Sequence, residues 1–439
     1  EHSGVYRYDG TSWSDISPDG KKWYGAVSVN PYNSNIIIVS QYDYKLNLPF
    51  WLSRDGGKTW EEIHKKSVLQ GSVPWAPKNH FASATASLIF DPHYSNRVWM
   101  VDWYATWRTE DITADTVIWR NYEYGHEEIV SFCMLTPERG VNLISGMADI
   151  RGFRHEILDD FPKDVLHKDD NMKDITGLDF CESDPNYVVR TATHGTDKSR
   201  GIGAVSTDNG RSWTYFDHWY FGAVGRVVMS ATDYQVILAA PWGGNVKRSN
   251  DFGKTWHDVE GLPSGIVSQV WEWHQPLASD RVLGNVFYVF HKGKVYRSDD
   301  AGKTFSLVSE VPSSGIYAVK GVPRRAKEVW ISSDENGLYK SINGAESFEK
   351  IRVVDRAHLF AFGKNAPGSE YPAIFLYGTV AGEDGIFRSD DYGKSWKRIN
   401  SDKYRLGNNP NCMAADRQIF GRVYIGTNGR GIFYGEQIK

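Results

Sequence analysis

Apolar and polar residues alternate along this chain in short runs of four to six, broken by Gly, Asp, Asn and Pro, and no stretch keeps the 3.6-residue spacing of a helix. Leu88–Asp91 closed by Pro92, then Val98–Asp102, then Tyr104–Arg108 read as three successive strands with turns between them. The same order recurs: an alternating run, a second apolar run, then an aromatic-Arg-Ser strand that feeds a turn. That turn is a repeated phrase, SRDGGKTW from Ser53, STDNGRSW from Ser206, SNDFGKTW from Ser249, SDDAGKTF from Ser298, SINGAESF from Ser341 and SDDYGKSW from Ser389. From Ser206 onward its copies start 43, 49, 43 and 48 residues apart, the signature of one supersecondary unit in tandem.

Within the phrase the Asp side chain can accept hydrogen bonds from amides of its own turn, Gly takes the positive φ, and the closing Trp or Phe packs between sheets. Asp55, Asp208, Asp251, Asp300 and Asp391 are therefore structural staples despite their carboxylates. Between Ser53 and Ser206 lie 153 residues, three periods of about 51, so two copies with eroded turns belong there, their third strands at Tyr104–Arg108 and Gly152–His155. Radial repetition of small sheets is how a propeller limits exposed edges. The expected fold is all-β: a seven-bladed β-propeller of four-stranded antiparallel blades with Asp-box turns, plus extra blades from a second propeller. Third strands fall near residues 6, 53, 106, 154, 206, 249, 298, 341, 388 and 433. The seven from 106 to 388 place the complete ring at 72–404 and leave 1–71 and 405–439 as blades of a second, incomplete propeller. A single ring of nine or so blades is the alternative.

Charge and composition narrow the partners. The 50 basic and 54 acidic residues are mixed along the chain, with no basic stripe, so neither nucleic acid nor a membrane surface is expected as a partner. No apolar run approaches the ~20 residues that cross a bilayer. No signal peptide precedes the first strand-like segment, and a removed export signal suits a secreted, extracellular protein. Cys133, Cys181 and Cys412 are too far apart for a metal-ligand pattern, and no metal or cofactor is implied. The 17 Trp and 24 Tyr serve either to fill sheet interfaces or to stack on sugar rings. Trp60, Trp213, Trp256 and Trp396 close Asp boxes and belong to packing. Trp51, Trp75, Trp103, Trp107, Trp219, Trp242, Trp271 and Trp273 lie outside the boxes and are candidate sugar platforms, with Trp75 and Trp242 in the loops that look most open.

Longer phrases carry a family resemblance: GHEEIVSF (125–132), LISGMADIRGFRH (143–155), LASDRVLGNVFYVFHKGKVYRSDDAGKTF (277–305), FGKNAPGSEYPAIFLYGTV (362–380) and GRVYIGTNGRGIFYG (421–435). Together they resemble the second half of the xyloglucan-cleaving glycoside hydrolases of family 74, over nearly the whole chain. Asp boxes alone also occur in sialidases and sorting receptors. A sialidase, however, needs an arginine triad and an Arg-Ile-Pro signature, and a sorting receptor a cysteine-rich tail, and neither is found here.

The resemblance implies two seven-bladed propellers facing across an open cleft, and hydrolysis of a xylose-branched β-1,4-glucan with inversion. Two carboxylates about 6.5–9.5 Å apart share that work, one protonating the departing oxygen and the other activating water. One of them lies in the family phrase Gly-Asp-Ile-Gly-Gly-Phe, which maps onto Asp149 in Ala148–Phe153 and makes Asp149 the expected general acid. Ala148 and Arg151 depart from the family's glycines. Trp75, Trp103, Trp107, Trp242, Arg151 and His155 are the expected substrate contacts. Glu127 and Glu128 are the expected hydrogen-bond acceptors holding the strand behind the site, and only one of two adjacent strand residues can point at it. The partner carboxylate would sit in an N-terminal propeller half, in an Asp-Ile-Gly-Gly phrase that this chain does not repeat; Asp9 is the nearest look-alike, in an ordinary third strand. Two other readings stay open, a non-catalytic polysaccharide-binding propeller and a protein-interaction scaffold.

Overall fold

A computed structural model describes all of the chain except residues 1–2, 44–47, 72, 74–80, 126–127, 163–165, 167–171, 196, 198–199, 218–221, 223, 270, 404–405, 407–409 and 438–439. The described residues form sheets, mostly four-stranded and antiparallel, and their helical content is a single 3-10 turn at His64–Lys66. The all-β expectation holds because runs this short cannot bury a helix face but can alternate across a sheet. The eroded repeats are where the pattern placed them, with strands at Thr106–Thr109 and Gly152–His155.

Two compact units divide the chain, Glu1–Glu128 and Ile129–Lys439. In the first, the pair Tyr6–Tyr8 and Trp13–Asp15 precedes a four-stranded sheet running from Tyr24–Val29 to Glu61–Glu62. A five-stranded sheet follows. Its outermost strand, Ser67–Gln70, pairs parallel to Val117–Asn121, and the other strands step inward to Ser87–Phe90. Its core gathers Phe50, Phe81, Trp107 and Trp119, with the Phe50 and Trp119 rings 5.7 Å apart edge to face.

Seven sheets are described in the second unit, and they take the chain in order, from Ser131–His155 to Cys412–Gly435. The first strands of successive sheets pack on one another, and that of the last sheet packs on that of the first. Main-chain hydrogen bonds cross this seam, from Ser131 N–H to Thr427 O at 3.0 Å and from Gly431 N–H to Ile129 O at 3.1 Å. Side chains reinforce it: Asn411 donates to Ser131 O at 3.2 Å, Thr136 to Ala415 O at 2.8 Å, and Arg417 pairs with Glu138 at 2.5 Å and Glu182 at 2.7 Å. The boundary therefore falls at 128/129, whereas counting third strands put it at 72 and 404. The strand at 106–109 belongs to a sheet of the first unit and the strand at 432–435 to the seam of the second, and periodicity cannot tell which neighbour a sheet packs against.

The Asp boxes are the most regular local feature. In the copy at Ser298, Asp300 Oδ1 accepts from Lys303 N–H and Thr304 N–H at 3.0 Å each, Oδ2 accepts from the Thr304 hydroxyl at 2.8 Å, and the Ser298 hydroxyl donates to Oδ1 at 2.8 Å. Asn343 replaces Asp in one copy and keeps the geometry by donating its amide to Ser347 at 2.9 Å. With four hydrogen bonds at roughly 1 kcal/mol net apiece and partial rescue by water, Asp300→Ala should cost about 1–3 kcal/mol, read from the denaturant midpoint. At Asp55 the Thr59 hydroxyl first, then the Thr59 N–H, hold the carboxyl down from 3.8 to about 2. A depressed carboxylate stabilises the fold above its unfolded value and loses that contribution as pH falls through the folded one. Melting temperature should thus drop between pH 4 and pH 2 by less in Asp55→Asn than in the parent; equal drops would refute the assignment.

Candidate active site

Asp149 stands at the tip of the connection between the strands Leu143–Met147 and Gly152–His155, whose pairing runs from Leu143 opposite His155 to Gly146 opposite Gly152. Asp149 and Arg151 both adopt left-handed φ, +60° and +77°, and Gly152 follows at +131°. A Cβ on Gly152 would lie 2.0 Å from Ser145 O, so only glycine fits there. Non-glycine residues in this region cost on the order of 1 kcal/mol each and persist where their surroundings over-determine them. Here Ala148 N–H donates to Val130 O at 2.9 Å, Met147 N–H to Arg151 O at 3.0 Å, and Asp149 N–H to Asp174 Oδ1 at 2.8 Å. Asp174 is buried, and its other oxygen accepts the Thr193 hydroxyl at 2.7 Å. The Arg151 Nε–H donates to Met172 O at 2.9 Å.

With its backbone fixed, the Asp149 side chain is a quarter exposed and lies 3.0 Å from the ammonium of Lys173, itself 29% exposed. Lys173 and Asp174 open the first strand of the next sheet, Met172–Phe180. Sequence reasoning passed over both, because nothing in their local pattern distinguishes them from any strand entry. What gives them a role is the packing of one sheet on its neighbour.

The other expected site residues are dispersed. His155 ends the strand that leaves the Asp149 turn, about 10 Å beyond Gly152 at the usual rise of about 3.3 Å per residue. There its ring lies 2.8 Å from the Ser145 hydroxyl, and burial pushes its pKa down to about 4, so it is a neutral structural tie. Trp242 is 43% exposed in the turn after Ile237–Pro241, two sheets further on. Of the residues in the first unit, Trp103 is exposed and Glu128 is exposed at its end. Trp107 is buried, donates its indole N–H to Asp102 at 2.9 Å and meets Phe81 edge-on at 5.1 Å, so it packs the core and offers no platform. Trp51 is likewise buried. Asp9 caps its own turn through Thr11 N–H and Ser12 N–H, both at 2.9 Å. Trp75, Glu127 and Trp219 lie outside the described residues. Among the described residues no cluster of His, Cys, Asp and Glu has the makings of a metal site.

The BNR/Asp-box repeat model matches residues 51–62. A xyloglucanase of Acetivibrio thermocellus is 31% identical over 97% of this chain and 53% of its own length, and a xyloglucanase of a Paenibacillus species is 29% identical over 99% of this chain and 46% of its own. The crystal structure of the family 74 xyloglucanase from Xanthomonas campestris superposes on 99% of this chain and 63% of its own with a TM-score of 0.84 at 29% identity. The chain spans about half the length of the curated relatives it matches. By sequence and by fold alike, it is a homologue of the glycoside hydrolase family 74 xyloglucanases.

Proposed function

We propose that this chain is the C-terminal part of a secreted enzyme that hydrolyses the β-1,4-glucan backbone of xyloglucan with inversion, and that Asp149 is its general acid. The observation that carries the reading is the Asp149 turn: a solvent-reachable carboxyl on a strained backbone that Asp174 and Val130 hold in one conformation, inside a chain homologous to xyloglucanases. In this role Asp149 gives its proton to the glycosidic oxygen as the bond breaks. The Lys173 ammonium lies 3.0 Å from Oδ1, so in this reading a glycosidic oxygen takes the proton from that carboxyl only once the ammonium has moved aside. The base that activates water on the opposite face comes from the N-terminal half of a longer protein.

In this reading Ile129–Lys439 is a seven-bladed propeller, closed at the Ser131–Thr427 seam, and Glu1–Glu128 carries blades of a second, incomplete ring. Burial supports the distinction. First strands of the second unit such as Ser131–Leu135 and Tyr317–Gly321 are buried almost throughout, whereas in the first unit Val27, Val29 and Ile89 are half or more exposed on the corresponding strands Tyr24–Val29 and Ser87–Phe90. Apolar residues left open on inner strands fit an unfinished ring that further blades would cover. A polysaccharide-binding role without catalysis is favoured by Arg151 standing at a family glycine and by the lack, within this sequence, of a second Asp-Ile-Gly-Gly phrase.

Two experiments decide. Joined to the N-terminal half of the Acetivibrio relative, the chain should release oligosaccharides from xyloglucan. Asp149→Asn should slow this by about 10²–10⁴-fold but slow an activated aryl glycoside far less, because that leaving oxygen needs no proton. Retention on xyloglucan with no turnover would replace the hydrolase reading by the binding one. Ile129–Lys439 made alone should unfold in one cooperative step, and a broad, non-cooperative melt would refute the closed ring.

A further inference from the structure

We propose that Trp271, seconded by Trp242, is a preformed stacking platform for a glucan ring on the face of the second unit that carries Asp149. The inference rests on the polysaccharide reading above and adds the residues that would hold the chain in place.

Topology puts the three residues at one end of the sheets. Asp149 and Trp242 each occupy the connection from the second to the third strand of their sheets, and Trp271 lies on the segment entering the first strand Leu277–Ser279. In an antiparallel sheet the entry to strand one and the turn after strand two lie at the same end, and the first strands pack in series around the unit. The Trp271 ring lies 5.1 Å from that of Phe132. Phe132 belongs to Ser131–Leu135, the first strand of the sheet that carries Asp149, two residues from the Val130 carbonyl that binds Ala148. Trp271 therefore reaches from the entry of the fourth sheet to the first.

The segment under it is held before any ligand arrives. Buried Arg226 donates to His274 O at 2.8 Å, to Thr176 O at 2.9 Å and to Glu272 O. The Glu272 carboxylate accepts the Ser268 N–H and hydroxyl, each at 2.6 Å, and the His274 ring stacks on Tyr317 at 3.9 Å. Trp242 is tied to the same segment by its bridge to Val267 and by the Gly243 N–H donated to Val267 O at 2.8 Å. Two indoles, 48% and 43% exposed, thus stand on one braced loop system, while the box tryptophans Trp213, Trp256 and Trp396 turn their N–H groups back onto glycine carbonyls of their own turns. An exposed indole on a rigid support loses little entropy on binding, and its flat apolar face matches the C–H face of an equatorially linked glucose ring, a neutral partner that needs no ion pair.

The test is calorimetric titration of the full chain with xyloglucan oligosaccharides. Trp271→Ala should weaken binding about tenfold or more, Trp242→Ala less, and Trp271→Phe should recover part of the loss. Trp13→Ala, at the most exposed of the described tryptophans of the first unit, should bind as the parent does. Unchanged circular dichroism and urea midpoints separate a lost platform from a lost fold. If the parent binds and Trp271→Ala binds within twofold of it, the platform is refuted and the polysaccharide reading stands. If the parent binds no glucan at all, both are refuted.

Discussion

The structure of the second unit depends on its seam. Sheets that each bury both faces against neighbours still leave two terminal faces and two terminal edges unless the last sheet meets the first. The hydrogen bonds joining Ser131 to Thr427 and Gly431 to Ile129 make that meeting at one end of the strands. At the other end Arg417 bridges Glu138 and Glu182, and Glu182 also takes Arg281 at 2.7 Å, so sheets far apart in sequence share one partly buried ionic cluster. Each charge in it has a partner, which is the condition under which buried ions are tolerated.

The candidate site inherits its precision from this packing. Asp149 sits in a turn whose conformation no local preference would choose, and it is kept there by Asp174 and Val130, residues of the next sheet and of the strand before. Likewise the segment that carries Trp271 is held by Arg226, whose buried guanidinium donates to four carbonyls, those of Thr176, Gly225, Glu272 and His274, all on strands or strand entries. The rigid sheets supply the positions, and the connections between them carry the chemistry.

Much of the fold was legible because the repeat is written in local terms. The hydrogen bonds of an Asp box run within five residues, so Asp300 and Asn343 can be assigned from their neighbours alone. The eroded strand Gly152–His155 could be placed from its flanks for the same reason. The site was legible only as a phrase. Asp149 was singled out by resemblance, but His155 and Trp107 were drawn in by proximity in sequence or by residue type, and the tie of His155 to Ser145 and the burial of Trp107 show the limit of both criteria.

The sequence by itself determined the strands and the turns, since alternation, glycine placement and carboxylate-to-amide spacing all act over a few residues, while Asp149 was offered as a candidate only through a family phrase. Only the tertiary structure decided where one unit ends and the next begins, which tryptophans are core and which face water, and that Lys173 and Asp174 attend Asp149. Those outcomes depend on which sheet packs against which, a contact between residues tens to hundreds of positions apart that no local pattern encodes.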